Sequence, residues 1–434
     1  MDGHGKPEAF RNESGRAAAL AQIKLARLQL QPTKDALECS ICFMLDDPNQ
    51  ISLFPTEQTP AEQNSTEQNL SEQQRPDQTR QVTDPVEELL DPESEESQFL
   101  CQLASMIQQM APWNFMEETD VFGFVDPETS ELGFVSVMGK LGEHRAIAVY
   151  RGVEGLYGWR HFEEALQLDP KSVDAHDLFF EIPQIQLSFE SSTLLEKRDR
   201  AIIKASGFKF PRNQQPRFRS YRPGYLPWFI TAEEASHLIY ALAQTLNVAS
   251  RIFTEADLLP LNEAPEDCNY LIRVPRMKES QPQWEDSFVS INPPPTHLVP
   301  FSLEESMMKQ LKALGASGVI EIDLFNLPAR VGRSYERPRL IYALLTVEPD
   351  SGFVLGMELL EAIDGMDLMY ASLVEKLASQ FVEHQIVPEE IKACSNKLLN
   401  VLQPLEDELD IALTFAKTLP ALNRARRSLM EHFG

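Results

Sequence analysis

Apolar positions first fall at helical spacing at Phe99, Leu100, Leu103, Met106 and Ile107, which predicts a helix that begins near Gln98 and stops at Pro112-Trp113. Strand-like patterns follow over 121–125 and 132–138, joined by the turn Asp126-Pro127-Glu128-Thr129, and again over 144–151. Gly152 and Gly155 break the pattern ahead of a helix over 156–168. A strand over 184–190 and a helix over 194–206 complete an α+β module with an antiparallel meander, assigned to residues 97–222. Thr231, with Glu234 three residues later, is a capping box and opens a helix to about Asn247. Residues 269–274 and 287–291 read as a hairpin, so 223–295 forms a helix-plus-hairpin extension that ends on Pro293-Pro294-Pro295.

From 296 to 434 the pattern gives a helix over 303–314 and strands over 319–324, 339–347 and 353–361, with Glu348-Pro349-Asp350-Ser351-Gly352 as the turn between the last two. A helix over 368–384, a strand over 390–394, a helix over 397–405, a strand over 411–414 and a helix from Pro420 to Phe433 complete it; proline is acceptable at the first helical position. The strand over 319–324 is expected at the centre of a five-stranded mixed sheet, with the three hairpin-connected strands antiparallel.

Upstream the periodicity fades. Residues 1–43 hold one short helix over 15–30, with Arg16, Lys24 and Arg27 on its polar side. Residues 44–96 are rich in Glu, Gln, Thr, Ser and Pro and repeat every five residues (Thr56-Glu57-Gln58, Ala61-Glu62-Gln63, Thr66-Glu67-Gln68, Ser71-Glu72-Gln73), the composition of a disordered acidic spacer.

Charge changes this picture only locally. The 434 residues carry a net −27, of which −13 falls between Thr33 and Ser97, so the remainder is moderately acidic. No run approaches the ~18 apolar residues a membrane helix needs, and Gln22 and Lys24 cut short the apolar run 17–21 before it becomes a signal sequence. Five cysteines fit a reducing compartment, so a cytoplasmic protein without membrane association is expected. Cys39 and Cys42 form a CxxC pair without two further ligands at zinc spacing, so no metal or cofactor is expected there. Asp174, His176 and Asp177 likewise lack a partner motif. Gly139-Lys140-Leu141-Gly142 leads into a strand and lacks the spacing of a phosphate loop, and no Gly-x-Ser-x-Gly elbow occurs.

The most unusual stretch is 197–225. Nine cations, among them Lys209, Arg212, Arg217, Arg219 and Arg222, stand against one acid, Asp199, with Phe208, Phe210, Phe218, Tyr221 and Tyr225 between them. Cations pair with phosphates and rings stack on bases, so this segment is the candidate surface for nucleic acid or another polyanion. The competing reading has the cations facing the protein's own acids and the rings in the core.

The element order β-β-β-α-β-α-β-α of the last unit is similar to the ribonuclease H-like fold of integrase and transposase cores. The segment from Tyr342 to Gly356 resembles the second strand, turn and third strand of those cores. The resemblance implies two metal ions held between carboxylates, with Asp323 on the first strand and Glu321 on the same face. The second carboxylate falls at Ala393, Cys394 or Ser395, none acidic, and only Glu431 is available on the last helix, so the triad is incomplete and no nuclease or transferase activity is expected. Without that role, Asp323 reads as a solvent-facing strand residue.

From Gln98 onward the chain also resembles an uncharacterised family of prokaryotic proteins, through Ala111-Pro112-Trp113, the stretches 137–144 and 149–152, and the stretch 218–228. Gln50-Ile51-Ser52-Leu53-Phe54 resembles the pentapeptide with which bacterial replication and repair proteins bind the sliding clamp, departing at Ile51; Gln50, Leu53 and Phe54 would be its anchors. Together these readings lead to a non-enzymatic binding protein associated with nucleic acid. The alternatives are an enzyme of unrecognised type with residual metal-dependent phosphoryl transfer, and a protein–protein adaptor.

Overall fold

The computed structural model describes residue 92 and residues 94–433, except 143, 169–177, 256–257, 261–267, 279–280, 295–302 and 334–335. The helix expected over 15–30, Cys39 and Cys42, the five-residue repeat, residues 50–54, and Asp174, His176 and Asp177 lie outside the described residues.

Among the described residues the strands form two mixed sheets. In the first, β1 (Phe122–Val125), β2 (Leu132–Met138), β3 (Ala146–Arg151), β4 (Gln184–Glu190) and β5 (Gln215–Tyr221) pair antiparallel in chain order. β6 (Asn269–Lys278) then lies parallel to β1, and β7 (Gln281–Ser290) returns antiparallel to β6, giving the order β5-β4-β3-β2-β1-β6-β7. The helices are α1 (Ser94–Met110), α2 (Gly152–Leu168), α3 (Lys197–Ser206) and α4 (Ala232–Arg251). Successive strand residues point to opposite faces. Val135, Val149 and Leu187 therefore bury against Leu100 and Ile107 of α1 and Leu238 and Leu242 of α4, while Phe134 and Tyr150 bury on the other side with Leu156 and Trp159 of α2.

Three details depart from the sequence reading. α1 begins at Ser94, inside the stretch assigned to the linker, because Glu95 and Glu96 suit a helix's positive first turn. α2 starts at Gly152, not after Gly155. Gly152 has φ +65°, which turns the chain directly from strand to helix, and a Cβ at Gly155 would stand 2.8 Å from the Pro183 oxygen. These glycines serve a turn and a close approach rather than breaking structure. β5 was read as a basic segment; Pro216 and the alternating arginines disguise a strand that sits at the sheet edge, where proline is tolerated.

The second unit contains α5 (Glu305–Ala313), β8 (Val319–Val331), β9 (Arg339–Val347), β10 (Val354–Leu360), α6 (Met366–His384), β11 (Glu390–Ala393), α7 (Asn396–Leu409), β12 (Ala412–Phe415) and α8 (Pro420–Phe433). The sheet order is β10-β9-β8-β11-β12, so β8 is central, antiparallel to β9 and parallel to β11. β8 runs seven residues past its expected end, through a register shift between Asn326 and Arg330 that takes in Pro328, a residue with no N–H for the ladder. Ile320 and Ile322 face α6 and α7; Phe325 and Leu327 face α8. The two units touch through backbone hydrogen bonds, Leu226 N–H to Pro338 O and Leu340 N–H to Gly224 O, both 2.9 Å.

Candidate functional site

The two-residue period of β8 puts Glu321 and Asp323 on the face that packs against α8. Both are buried, so Asp323 is not the solvent-facing residue of the alternative reading. Glu321 Oε2 accepts the Leu422 N–H at 2.8 Å, which satisfies one of the N–H groups that the start of α8 leaves without a helical partner. Asp323 Oδ2 accepts from Arg426 Nη1 at 3.1 Å, and the Arg426 guanidinium lies 4.1 Å from the centre of the Phe325 ring. The last helix thus presents a cation to Asp323. Glu431 is exposed and stands five positions beyond Arg426, which at 3.6 residues per turn is about 140° around the helix. At the end of β11, Ala393 is buried and Ser395 Oγ accepts the Leu398 N–H at 3.2 Å, so it caps α7. Among the described residues no three His, Cys, Asp or Glu side chains gather as metal ligands.

The basic segment divides into two sets. Arg219 is buried; it grips Asp199 with both Nη atoms at 2.8 Å, reaches Glu196 at 3.2 Å and lies over Phe229. Arg222 donates from Nε and Nη2 to Glu234 at 3.1 and 2.9 Å. Arg217 is half-buried. Lys209 and Arg212 are exposed, as are Lys197, Arg200 and Lys204. The last three are spaced i, i+3, i+7 and form one stripe along α3. Arg200 also donates to Ser192 O at 3.2 Å. Phe218 is buried, while Phe208, Phe210, Tyr221 and Tyr225 are half-buried, so the rings between these cations are largely packed.

Sequence reasoning found Glu234 only as a helix cap. The capping box is present: Glu234 Oε2 accepts the Thr231 N–H at 2.9 Å and Thr231 Oγ1 accepts the Glu234 N–H at 3.2 Å. The same buried carboxylate accepts from Ser220 Oγ at 2.7 Å and has Arg151 and Arg337 at 3.6 and 3.9 Å. Burial alone would raise its pKa, but Arg222, the hydrogen bonds of Ser220 and Thr231, and Arg337 outweigh that and hold it below the usual range. Arg337, from the second unit, has its own pKa pulled down to about 10 by burial. Asp126 was read only as a turn residue. It accepts the N–H groups of Glu128 and Thr129, as a turn-forming aspartate does, and its other oxygen meets buried His237 Nδ1 at 2.8 Å. Burial opposes its charge, but His237 and those two N–H groups prevail and depress its pKa. No local spacing could have revealed the partners Ser220, Arg337 and His237.

The molecule is an α+β protein of two mixed sheets. Residues 98–273 match a family described as a domain of unknown function (DUF7309), and residues 307–430 match another such family (DUF6930). The two matches fall one on each unit of the chain, and both are to domains of unknown function. Comparison with curated proteins gives no match.

Proposed function

We propose that this protein binds a polyanion, nucleic acid foremost, through α3 and the loop after it, and that its second unit is a ribonuclease H-like scaffold used for binding rather than catalysis. The observation that carries the reading is the division of charge in 197–222. The single acid, Asp199, is buried under Arg219, whereas Lys197, Arg200, Lys204, Lys209 and Arg212 stay exposed. Among the described residues none of these five cations is paired with a carboxylate, which leaves them available to phosphates. The scaffold assignment is supported by the sheet order, in which the first strand of the unit is central and the fourth and fifth follow parallel on one side. The absence of catalysis is argued from Arg426, which occupies Asp323 where a metal-binding acid would be required.

The test is fluorescence anisotropy of a labelled oligonucleotide over graded salt. The triple variant Lys197→Ala, Arg200→Ala, Lys204→Ala is expected to flatten the slope of log K against log salt by roughly 2–3. A wild-type protein that leaves both DNA and RNA free at low salt removes the proposal.

A further inference from the structure

On the α2 side of the first sheet is a cavity of about 200 Å³ that polyanion binding does not use. Tyr150 of β3, Trp159 and Phe162 of α2, and Phe179 line it, together with Glu118 and Glu163. The rings lie in two pairs: Tyr150 and Trp159 stack at 5.5 Å with 21° between their planes, and Phe162 meets Phe179 at 5.5 Å. Tyr150 and Trp159 are buried, Glu163 is half-buried and Glu118 is exposed. The result is an aromatic recess edged by carboxylates.

The electrostatics of this recess are one-sided. Aromatic faces carry negative potential, and two carboxylates add to it. Among the described residues neither Glu118 nor Glu163 has an ion-pair partner. The cation that Glu163 feels, Arg160, is directed elsewhere: its Nη1 donates to the Tyr270 hydroxyl at 3.1 Å and its guanidinium lies 5.7 Å from the Tyr157 ring centre. Burial, and then the charge of Glu118, push the Glu163 carboxyl up. Burial also raises the Tyr150 hydroxyl; the Ser136 hydrogen bond opposes this, and the charges of Glu118 and Glu163 add to it.

We propose that this cavity is a binding site for an organic cation of the alkylated-ammonium class, held against the rings and neutralised by Glu118 and Glu163. An apolar ligand would strip water from both carboxylates without compensating either. A metal ion would find only two carboxylates in a lining that is otherwise mostly apolar, and among the described residues no third His, Cys, Asp or Glu joins them. An alkylated ammonium satisfies both halves of the site, its alkyl groups against the rings and its charge toward the acids.

The experiment is calorimetric titration of the full-length protein with choline, with the uncharged isostere 3,3-dimethylbutanol as control. One saturable site for choline is expected, with the isostere weaker by about tenfold or more. The double variant Glu118→Gln, Glu163→Gln is expected to weaken choline by a similar factor while melting no lower than wild type, since neither residue supports a described ion pair. Equal affinity for choline and its isostere overturns the inference, as does a double variant that binds choline normally. No saturable binding of choline, tetramethylammonium or trimethyllysine overturns it too.

Discussion

Glu234 supports more of the fold than its place in a capping motif implies. Three guanidinium groups, from Arg151, Arg222 and Arg337, are within 4 Å of one carboxylate that is almost completely buried. Glu234→Gln keeps an acceptor for Thr231 but removes the charge, leaving those cations without a shared counter-ion. Breaking a buried charge pair costs about 3–5 kcal/mol, and chemical denaturation is expected to report a loss of that order. The pH dependence follows from the direction of the shifts. Glu234 and Asp126 have folded pKa values below their unfolded ones, so their stabilisation is complete above the ordinary carboxylate range and is lost as pH falls through the folded values. Stability measured from pH 6 to pH 2 is expected to drop below about pH 4, and Glu234→Gln is expected to flatten that drop. An unchanged profile in the variant would mean that other carboxylates dominate. At this scale the sequence is legible only where partners are near: Thr231 and Glu234 are three residues apart, whereas Arg337 and Glu234 are far apart in the chain and no local pattern links them.

At the level of elements, hydrophobic periodicity located β9, β4 and α8 at their observed bounds, because each has one uninterrupted apolar face. It failed at β5, where proline and arginine occupy alternate positions of an edge strand, and at the end of β8, where the register shifts. It also found the acids of β8 without revealing their role, since a carboxylate that anchors a helix and one that holds a metal look alike in sequence. The pairing of β8 with α8 can be tested directly. Arg426→Gln leaves the Asp323 carboxylate buried without its described cation and is expected to cost about 3 kcal/mol or more. Adding Asp323→Asn removes the charge that Arg426 faced, so the double variant is expected to be more stable than Arg426→Gln alone; strictly additive losses in a double-mutant cycle would mean that the two groups are not coupled. Arg219→Ala belongs to the same class. It strands buried Asp199 and is expected to lower stability by a comparable amount, whereas Lys204→Ala on the exposed stripe is expected to stay within about 0.5 kcal/mol of wild type.

Across the whole molecule, periodicity separates the chain into units at the prolines near 295, yet nothing in it reveals how the units meet. The contact is built from backbone and a few long side chains. Leu226 and Leu340 each donate an N–H across it, Arg337 Nη1 donates to Ser220 O at 3.1 Å, and Glu181 accepts from the Tyr370 hydroxyl at 2.8 Å and from Lys397 Nζ at 2.6 Å. Gly224 lies at the centre of this contact. Its φ is +84°, and an added Cβ would stand 2.8 Å from the Ala362 Cβ, so the position is closed to a side chain both by backbone conformation and by the neighbouring unit. Gly224→Ala therefore strains the left-handed turn, by roughly 1–2 kcal/mol, and pushes against Ala362 at the same time. The strain is expected to be relieved by opening the contact rather than by unfolding either sheet, because both hydrophobic cores remain intact. Hydrogen exchange is the measurement that distinguishes these outcomes. Protection of the Leu226 and Leu340 amides is expected to fall by roughly tenfold or more, with the central amides of β2 and β9 unchanged. Loss of protection in all four places together would mean that the two units unfold as one, and unchanged protection at Leu226 and Leu340 would mean that Gly224 does not govern their docking.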